Sequence, residues 1–242
     1  MFRRSIRHTL RTPETMILGI ALPIVLMLMF VYVFGGAMDV GGDYLDYVVP
    51  GIILLCASFG SATTATSIAV DMTEGIVDRF RTMAIAKSAV LTGHVGASLL
   101  RNLVTSAIVV GVGLLLGFRP NANLLEWLAA IGVVAMFILA ISWFCVALGL
   151  IAGNAEAASG FTFFLLFLPY VSSAFVPTST MPSWLHWFAD NQPVTPVIET
   201  MRGLLMGTPI GNSAVLAVCW CAGIALVGFV WSGIVFRRKT AR

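Results

Sequence analysis

Five charges stand between Glu74 and Lys87, in EGIVDRFRTMAIAK, within a 242-residue chain that is only 10% charged. Asp71 and Glu74 have the spacing of an N-cap and its N3 partner, which predicts a helix starting there. Ile76, Phe80 and Met83 then recur at i, i+4, i+7, with Glu74, Asp78 and Arg81 on other faces. A short helix with one apolar knob and mixed charges suits docking into a groove on a soluble partner. The alternative is an ordinary loop whose bases only set topology.

No residues elsewhere assemble into a catalytic set. His8, His94 and His186 all fall outside the apolar runs, and HExxH and GxSxG are absent. Ser159, in EAASG, has no histidine on a later run to act as its base. Cys56, Cys145, Cys219 and Cys221 sit inside apolar runs without a CxxC spacing, which predicts packing roles and no metal site. The only lysines, Lys87 and Lys239, lie outside any GxxxxGK[ST]. A chain of this kind that moves a substrate uphill must take its energy from another chain, through its cytoplasmic face. An intramembrane enzyme is left without base or metal ligands.

The elements around the charged stretch are apolar. A hydrophobic fraction of 59% and a mean hydropathy of +0.96 lie outside the soluble range. Runs of about 20 apolar residues predict spanning helices, because backbone groups in lipid must be satisfied internally. The prediction is an all-α polytopic membrane protein, a single domain over 1–242, with six spans at 16–36, 48–70, 95–117, 127–152, 157–177 and 213–236. The basic N-terminus leads into a full-length first run without an A-x-A-like site, so no cleavable leader is expected. Twelve of the fourteen Lys and Arg fall on one side of this scheme, counting Arg101 at the inner end of span three. Only Arg119 and Arg202 fall opposite, which predicts cytoplasmic termini. No ionisable residue is expected near mid-bilayer.

Two segments do not read as spans. Phe2, Ile6 and Leu10 give residues 1–15 the pattern of an amphipathic interfacial helix, the alternative being a basic tail that only sets topology. Residues 178–212 are divided by Pro182, Pro193, Pro196 and Pro209 and carry Trp184, Trp187 and Phe188. Short re-entrant helices in the outer leaflet are expected there.

Span two holds small and hydroxyl residues, with Gly60, Thr64 and Ser67 at i, i+4, i+7. That spacing permits close helix packing or lines a pathway. Span five carries Phe161, Phe163, Phe164, Phe167 and Tyr170, with Pro169 expected to kink it.

EGIVDRFRTMAIAKSAVLTGHVGASLLRN (74–102) and VPTSTMPSWLHWFADNQPVTPVIETMRGLL (176–205) resemble segments of type 2 ABC transporter membrane subunits, daunorubicin-resistance-type drug exporters in particular. The resemblance covers nearly the whole chain. It implies that the 71–90 segment contains a cytoplasmic coupling helix, with Glu74, Gly75, Asp78, Arg79, Phe80, Arg81 and Met83 meeting an ATPase. Met83-Ala84 stands where relatives often have Leu-Pro, which implies a looser or displaced bend. The implied unit is two permeases, alike or related, with two ATPase subunits that hold ATP and Mg2+, this chain carrying no cofactor, in a bacterial cytoplasmic membrane and working by alternating access. Spans one, two and five are implied near the seam, where Gly60, Thr64, Ser67, Phe164 and Phe167 form a possible pathway for hydrophobic or amphiphilic drugs, antibiotics or lipids. Membrane lipids, not nucleic acid, are the other partner. Polysaccharide or lipid-linked glycan export is an alternative within the class, and a non-transporting scaffold is one outside it.

Overall fold

The computed structural model describes residues 13–36, 42–73 and 88–240. Among the described residues the chain forms eight α-helices and no strand. Helix α1 (Pro13–Met29) runs on into a π-helical turn, Phe30–Phe34. It is followed by α2 (Tyr44–Thr73), α3 (Ser88–Leu116), α4 (Leu124–Ile151) and α5 (Ala155–Tyr170). Two short helices, α6 (Ser183–Asn191) and α7 (Val194–Met206), precede α8 (Ser213–Thr240). The expected coupling helix lies wholly outside the described residues, and the expected interfacial helix almost wholly.

Four of these helices contain stretches long and apolar enough to cross a membrane: Tyr44–Thr73, Leu91–Leu116, Leu124–Ile151 and Ser213–Lys239. The first and fifth runs form shorter apolar helices, Ala21–Phe34 and Ala155–Tyr170. The described residues are thus all-helical in their regular structure, with the apolar helices of a multi-pass membrane protein. Caps fix several boundaries. The Asn123 side chain accepts from the Glu126 N–H at 3.0 Å, and the Glu126 carboxylate accepts from the Asn123 N–H at 2.7 Å, so α4 starts three residues before the apolar run suggests. Asn154 caps α5 through the Ala157 N–H. Gly207 ends α7 at φ 74°, where the absence of a Cβ removes the penalty.

The fifth run stops well short of residue 177. Pro169 sits in the last turn of α5, where the helix ends rather than kinking through it. The Ser172 hydroxyl bonds to the Pro169 carbonyl. Gln192, between α6 and α7, donates to the carbonyls of Leu168 (2.9 Å) and Val171 (3.1 Å). The proline-divided segment thereby caps carbonyls that the end of α5 leaves without partners.

Helix α2 is the centre of the bundle. Its apolar stretch is 83% buried, against 22% for α3 and 17% for α8. It touches α1, α3, α4, α5 and α7. Apolar side chains gain little by leaving lipid for one another, so such contacts depend on close approach and polar bonds. Gly149 of α4 lies against the Ala65 backbone of α2, and Gly228 of α8 against the backbone of Trp143 and Phe144 on α4. A Cβ at either position would meet main chain. Trp143 and Phe229 complete the α4–α8 seam edge to face, with centroids 4.9 Å apart.

The two ends of the bundle differ. At one end Ile68, Leu91, Val146, Leu150 and Phe236 form a satellite core, next to the basic last turn of α8 with Arg237, Arg238 and Lys239. Thr73 and Ser88, the helix ends on either side of the charged stretch, belong to this end too. At the other end, Arg202 of α7 is 7% exposed. It donates to the Glu199 carboxylate (2.8 Å) and to the carbonyls of Ser173 (2.9 Å) and Tyr47 (3.2 Å). Its guanidinium also lies 3.8 Å from the centre of the Tyr47 ring. One side chain therefore ties α7 to the start of α2 and to the segment after α5.

Gly149→Leu is expected to lower stability by about 1–3 kcal/mol through overpacking against Ala65. Gly132→Ala, at a position open on all sides, is expected to be neutral or stabilising by up to about 1 kcal/mol; thermal unfolding in detergent compares the two. Arg202→Met removes three bonds and strands Glu199, at an expected cost of about 2–3 kcal/mol by the same assay.

Candidate functional site

At the basic end, His94 Nε2 of α3 and Asp71 Oδ2 of α2 are 2.9 Å apart. Asp71 does not start a helix: α2 continues through it to Thr73, and its carboxylate faces His94 across the helix pair. The capping-box reading of Asp71 with Glu74 is therefore corrected. The pair joins α2 and α3 just before the charged stretch leaves one and enters the other. Residues Glu74, Gly75, Asp78, Arg79, Phe80, Arg81 and Met83 lie outside the described residues. What the structure supplies is their mounting: two helices pinned together two residues before Thr73 and six after Ser88.

Further along, α2, α3 and α4 share a polar seam. Ser98 Oγ of α3 is 2.9 Å from Ser142 Oγ of α4, and the Ser142 hydroxyl donates to Ser61 Oγ of α2 at 3.3 Å. Asn102 donates to the Ser98 carbonyl (2.9 Å) and hydroxyl (3.1 Å). All four residues are buried. Interhelical bonds of this kind average about 0.6 kcal/mol each in a membrane protein, and leaving them unmade in an apolar seam costs more. Gly60 of α2 makes room for the Asn102 side chain, whose amide occupies the space a Cβ would need.

Arg101 sits beside this seam, ten residues into the apolar stretch Leu91–Leu116 rather than at its end, against the expectation that no ionisable residue lies well inside a span. Helix α3 begins at Ser88, so Arg101 is the fourteenth of its 29 residues rather than lying at its inner end. It is about 15 Å along the axis from Leu91, where the apolar stretch starts, against a hydrocarbon core of about 30 Å. Its Nη2 donates to the Gly60 carbonyl (2.9 Å) and to Thr63 Oγ1 (2.8 Å). With His94 facing Asp71 and Asn102 facing Gly60, residues 60 and 63 stand level with Arg101 on the antiparallel neighbour, so the guanidinium does not snorkel toward an interface. An arginine at the centre of a span costs about 2.5–3.5 kcal/mol on translocon-based scales.

The residues expected to line a pathway separate. Gly60 is packed against Asn102, and Thr64 is buried with its hydroxyl unpartnered. Ser67 is exposed, its hydroxyl donating back to the Thr63 carbonyl. The exposed hydroxyl face of α2 is therefore Thr63 with Ser67, one position round from the stripe read in the sequence. Phe164 (76% exposed) and Phe167 (50%) lie with Phe163 on an open face of α5. Phe163 and Phe167 are in edge contact at 5.0 Å. Neither Thr63 nor Arg101 was singled out by spacing; the signal was an arginine seven residues, two turns, after His94 on one helix. Among the described residues no group of three or more His, Cys, Asp or Glu is placed to hold a metal ion. Cys56, Cys145 and Cys221 are buried and unpaired.

The family model for the ABC-2 type transporter matches residues 1–206. The chain is 33% identical over 231 residues to the daunorubicin resistance ABC transporter permease protein DrrB1 of Streptomyces coeruleorubidus, covering 95% of this chain and 82% of that one. It is 30% identical over 228 residues to the probable doxorubicin resistance ABC transporter permease protein DrrC of Mycobacterium tuberculosis, covering 93% and 83%. A putative transport permease of Cyanophora paradoxa is 25% identical over 202 residues, covering 80% and 69%. An all-helical membrane bundle, matched over most of its length by the family model and by two permeases at 30% identity or more, belongs to the ABC-2 type transporter family.

Proposed function

We propose that this chain is the membrane subunit of an ATP-driven exporter that moves hydrophobic or amphiphilic compounds, such as a drug, an antibiotic or a lipid, out across a bacterial cytoplasmic membrane. The observation that carries this reading is the likeness, across 95% of the chain, to a permease named for daunorubicin resistance. In this reading the chain crosses the membrane six times with both termini cytoplasmic. A second permease, identical or related, and two copies of an ATPase complete the assembly. ATP and Mg2+ bind the ATPase, and this chain contributes no catalytic group.

Residues 74–83 serve as the coupling helix. Phe80 supplies the apolar knob in the ATPase groove, and Arg79, with Glu74, Asp78 and Arg81 around it, supplies the charges that orient it. The mounting supports this role. The ends of α2 and α3 that carry the segment are joined by the Asp71–His94 pair, and α2 and α3 are zipped again at Gly60, Asn102 and Arg101. A push on the segment would move the two helices as one body. Because α2 is the most buried helix of the bundle, that movement reaches every neighbour it touches, as alternating access requires.

The open phenylalanine face of α5 supports an apolar route. Phe164 and Phe167 offer aromatic area without fixed charge, suited to a hydrophobic cargo.

Arg79→Glu and Phe80→Asp are each expected to release the ATPase on purification, or to cut substrate-stimulated ATP hydrolysis by tenfold or more. Full coupling retained in both variants would contradict the assignment. Phe164→Ala or Phe167→Ala is expected to shift relative resistance to individual compounds by roughly 3- to 10-fold, the equivalent of about 0.7–1.4 kcal/mol of lost contact. ATPase assembly is expected to remain intact, and an unchanged resistance spectrum counts against this face.

A further inference from the structure

Arg101 carries a positive charge within the apolar stretch of α3 that nothing else in the described structure neutralises. A guanidinium has five N–H donors. Two bonds, both from Nη2, go to the Gly60 carbonyl and to Thr63 Oγ1, and both acceptors are neutral. The donors on Nε and Nη1 have no acceptor among the described residues. Thr63 passes its own hydroxyl proton to the same Gly60 carbonyl at 2.8 Å, so it can only accept from the arginine. The triangle of Arg101, Thr63 and Gly60 therefore orients the fork without discharging it.

Carboxylates that might serve as counter-ions are elsewhere. Among the described residues every Asp and Glu stands in the first or last turn of a long helix, just before one, or in the α6–α7 segment. The nearest along α2, Asp71, faces His94 about 12 Å down the axis from Thr63. Meanwhile the surface around Arg101 carries the exposed Leu100 and Val104 on one side and the exposed hydroxyl residues Thr63 and Ser67 on the other. A partly buried guanidinium with unused donors in an apolar stretch suits an oxyanion, because charge-assisted pairing relieves both partners of an unfavourable apolar exposure.

We propose that Arg101, held by Thr63 and Gly60, is an intramembrane site for the anionic group, phosphate or carboxylate, of an amphiphile whose apolar part lies along α3. This rests on the export reading only in placing the chain in a bilayer. It adds to that reading a polarity at one position: the group held at Arg101 is negative or is the acidic arm of a larger amphiphile.

The experiment is equilibrium binding to the purified full chain in a neutral maltoside detergent. The probes are dodecyl phosphate, dodecylphosphocholine as its zwitterionic counterpart, and inorganic phosphate. Dodecyl phosphate is expected to bind saturably and at least tenfold more tightly than either of the others. Arg101→Gln is expected to abolish that preference, and Arg101→Lys to retain part of it, since charge is kept and the fork lost. Thr63→Val leaves the arginine in place but removes its orienting oxygen, and is expected to weaken binding about threefold to fivefold even if the glutamine variant does not fold. Repeating the titration in nanodiscs separates the two sources of the headgroup. Displacement of the probe by phosphatidylglycerol but not phosphatidylcholine assigns the site to a lipid, and retention of the probe in phosphatidylglycerol-rich discs assigns it to another amphiphile. Equal affinity for dodecyl phosphate and dodecylphosphocholine, or binding unchanged in both Arg101→Gln and Thr63→Val, overturns the proposal. Because no ATPase takes part, either result leaves ATP-driven export to stand or fall on its own test.

Discussion

Helices already surrounded by hydrocarbon gain little from hiding apolar side chains against each other, so a bundle like this one holds together where backbones come close enough for dispersion and for a few polar bonds. That constraint accounts for the composition. The chain carries 23 glycines, and the ones that matter most sit at crossings: Gly60 beneath Asn102, Gly149 on the Ala65 backbone, Gly228 on Trp143 and Phe144. Helix α2 meets two of these three crossings and also carries Ser61 of the serine–asparagine seam. It can be buried along most of its length because most of its hydroxyls bond back into their own helix, as Ser58 does to Leu54, or meet a partner from α3 or α4, Thr64 being the exception.

With α2 fixed as the axis, the two ends acquire different characters. One end closes on side-chain donors to backbone carbonyls: the charged Arg202 grips those of Tyr47 and Ser173, and the neutral Gln192 amide those of Leu168 and Val171. These contacts convert a proline-broken segment into a lid packed on the bundle, with α7 mostly buried while Trp184 and Trp187 of α6 remain outward. The other end carries the basic turn of α8 and, among the described residues, the Asp71–His94 pair across the α2–α3 exit. In the proposed mechanism the first end anchors and the second receives force. The serine–asparagine seam and Arg101 lie between them, where a tilt of α2 against α3 would first be felt.

Much of this architecture is visible in the apolar runs, whose centres all fall inside helices. Their ends are less visible, for reasons that differ from place to place. Helix α3 already includes residues 88–94, which are not strikingly apolar, and there His94 faces Asp71 of α2. Arg101 therefore lies well inside the helix rather than at its inner rim. Helix α5 ends at Tyr170 although apolar residues continue to Val176, because Pro169 supplies no N–H and Gln192, more than twenty residues later, caps the carbonyls instead. Small-residue spacing correctly marked α2 as a surface for close approach, yet spacing alone left Gly60, Thr64 and Ser67 indistinguishable. One is packed, one buried and one exposed, and the difference is set by Asn102 and Arg101 on a neighbouring helix. Pairings between helices carry no local signature.

In the proposed mechanism this bundle converts work done on it by a separate ATPase and supplies none of its own. The direct measurement is efflux of a fluorescent amphiphile from proteoliposomes holding the purified chain, with and without its partner ATPase and ATP. Transport that requires all three components agrees with the account. Uphill movement sustained by the chain alone, or driven by an ion gradient in the absence of nucleotide, contradicts it.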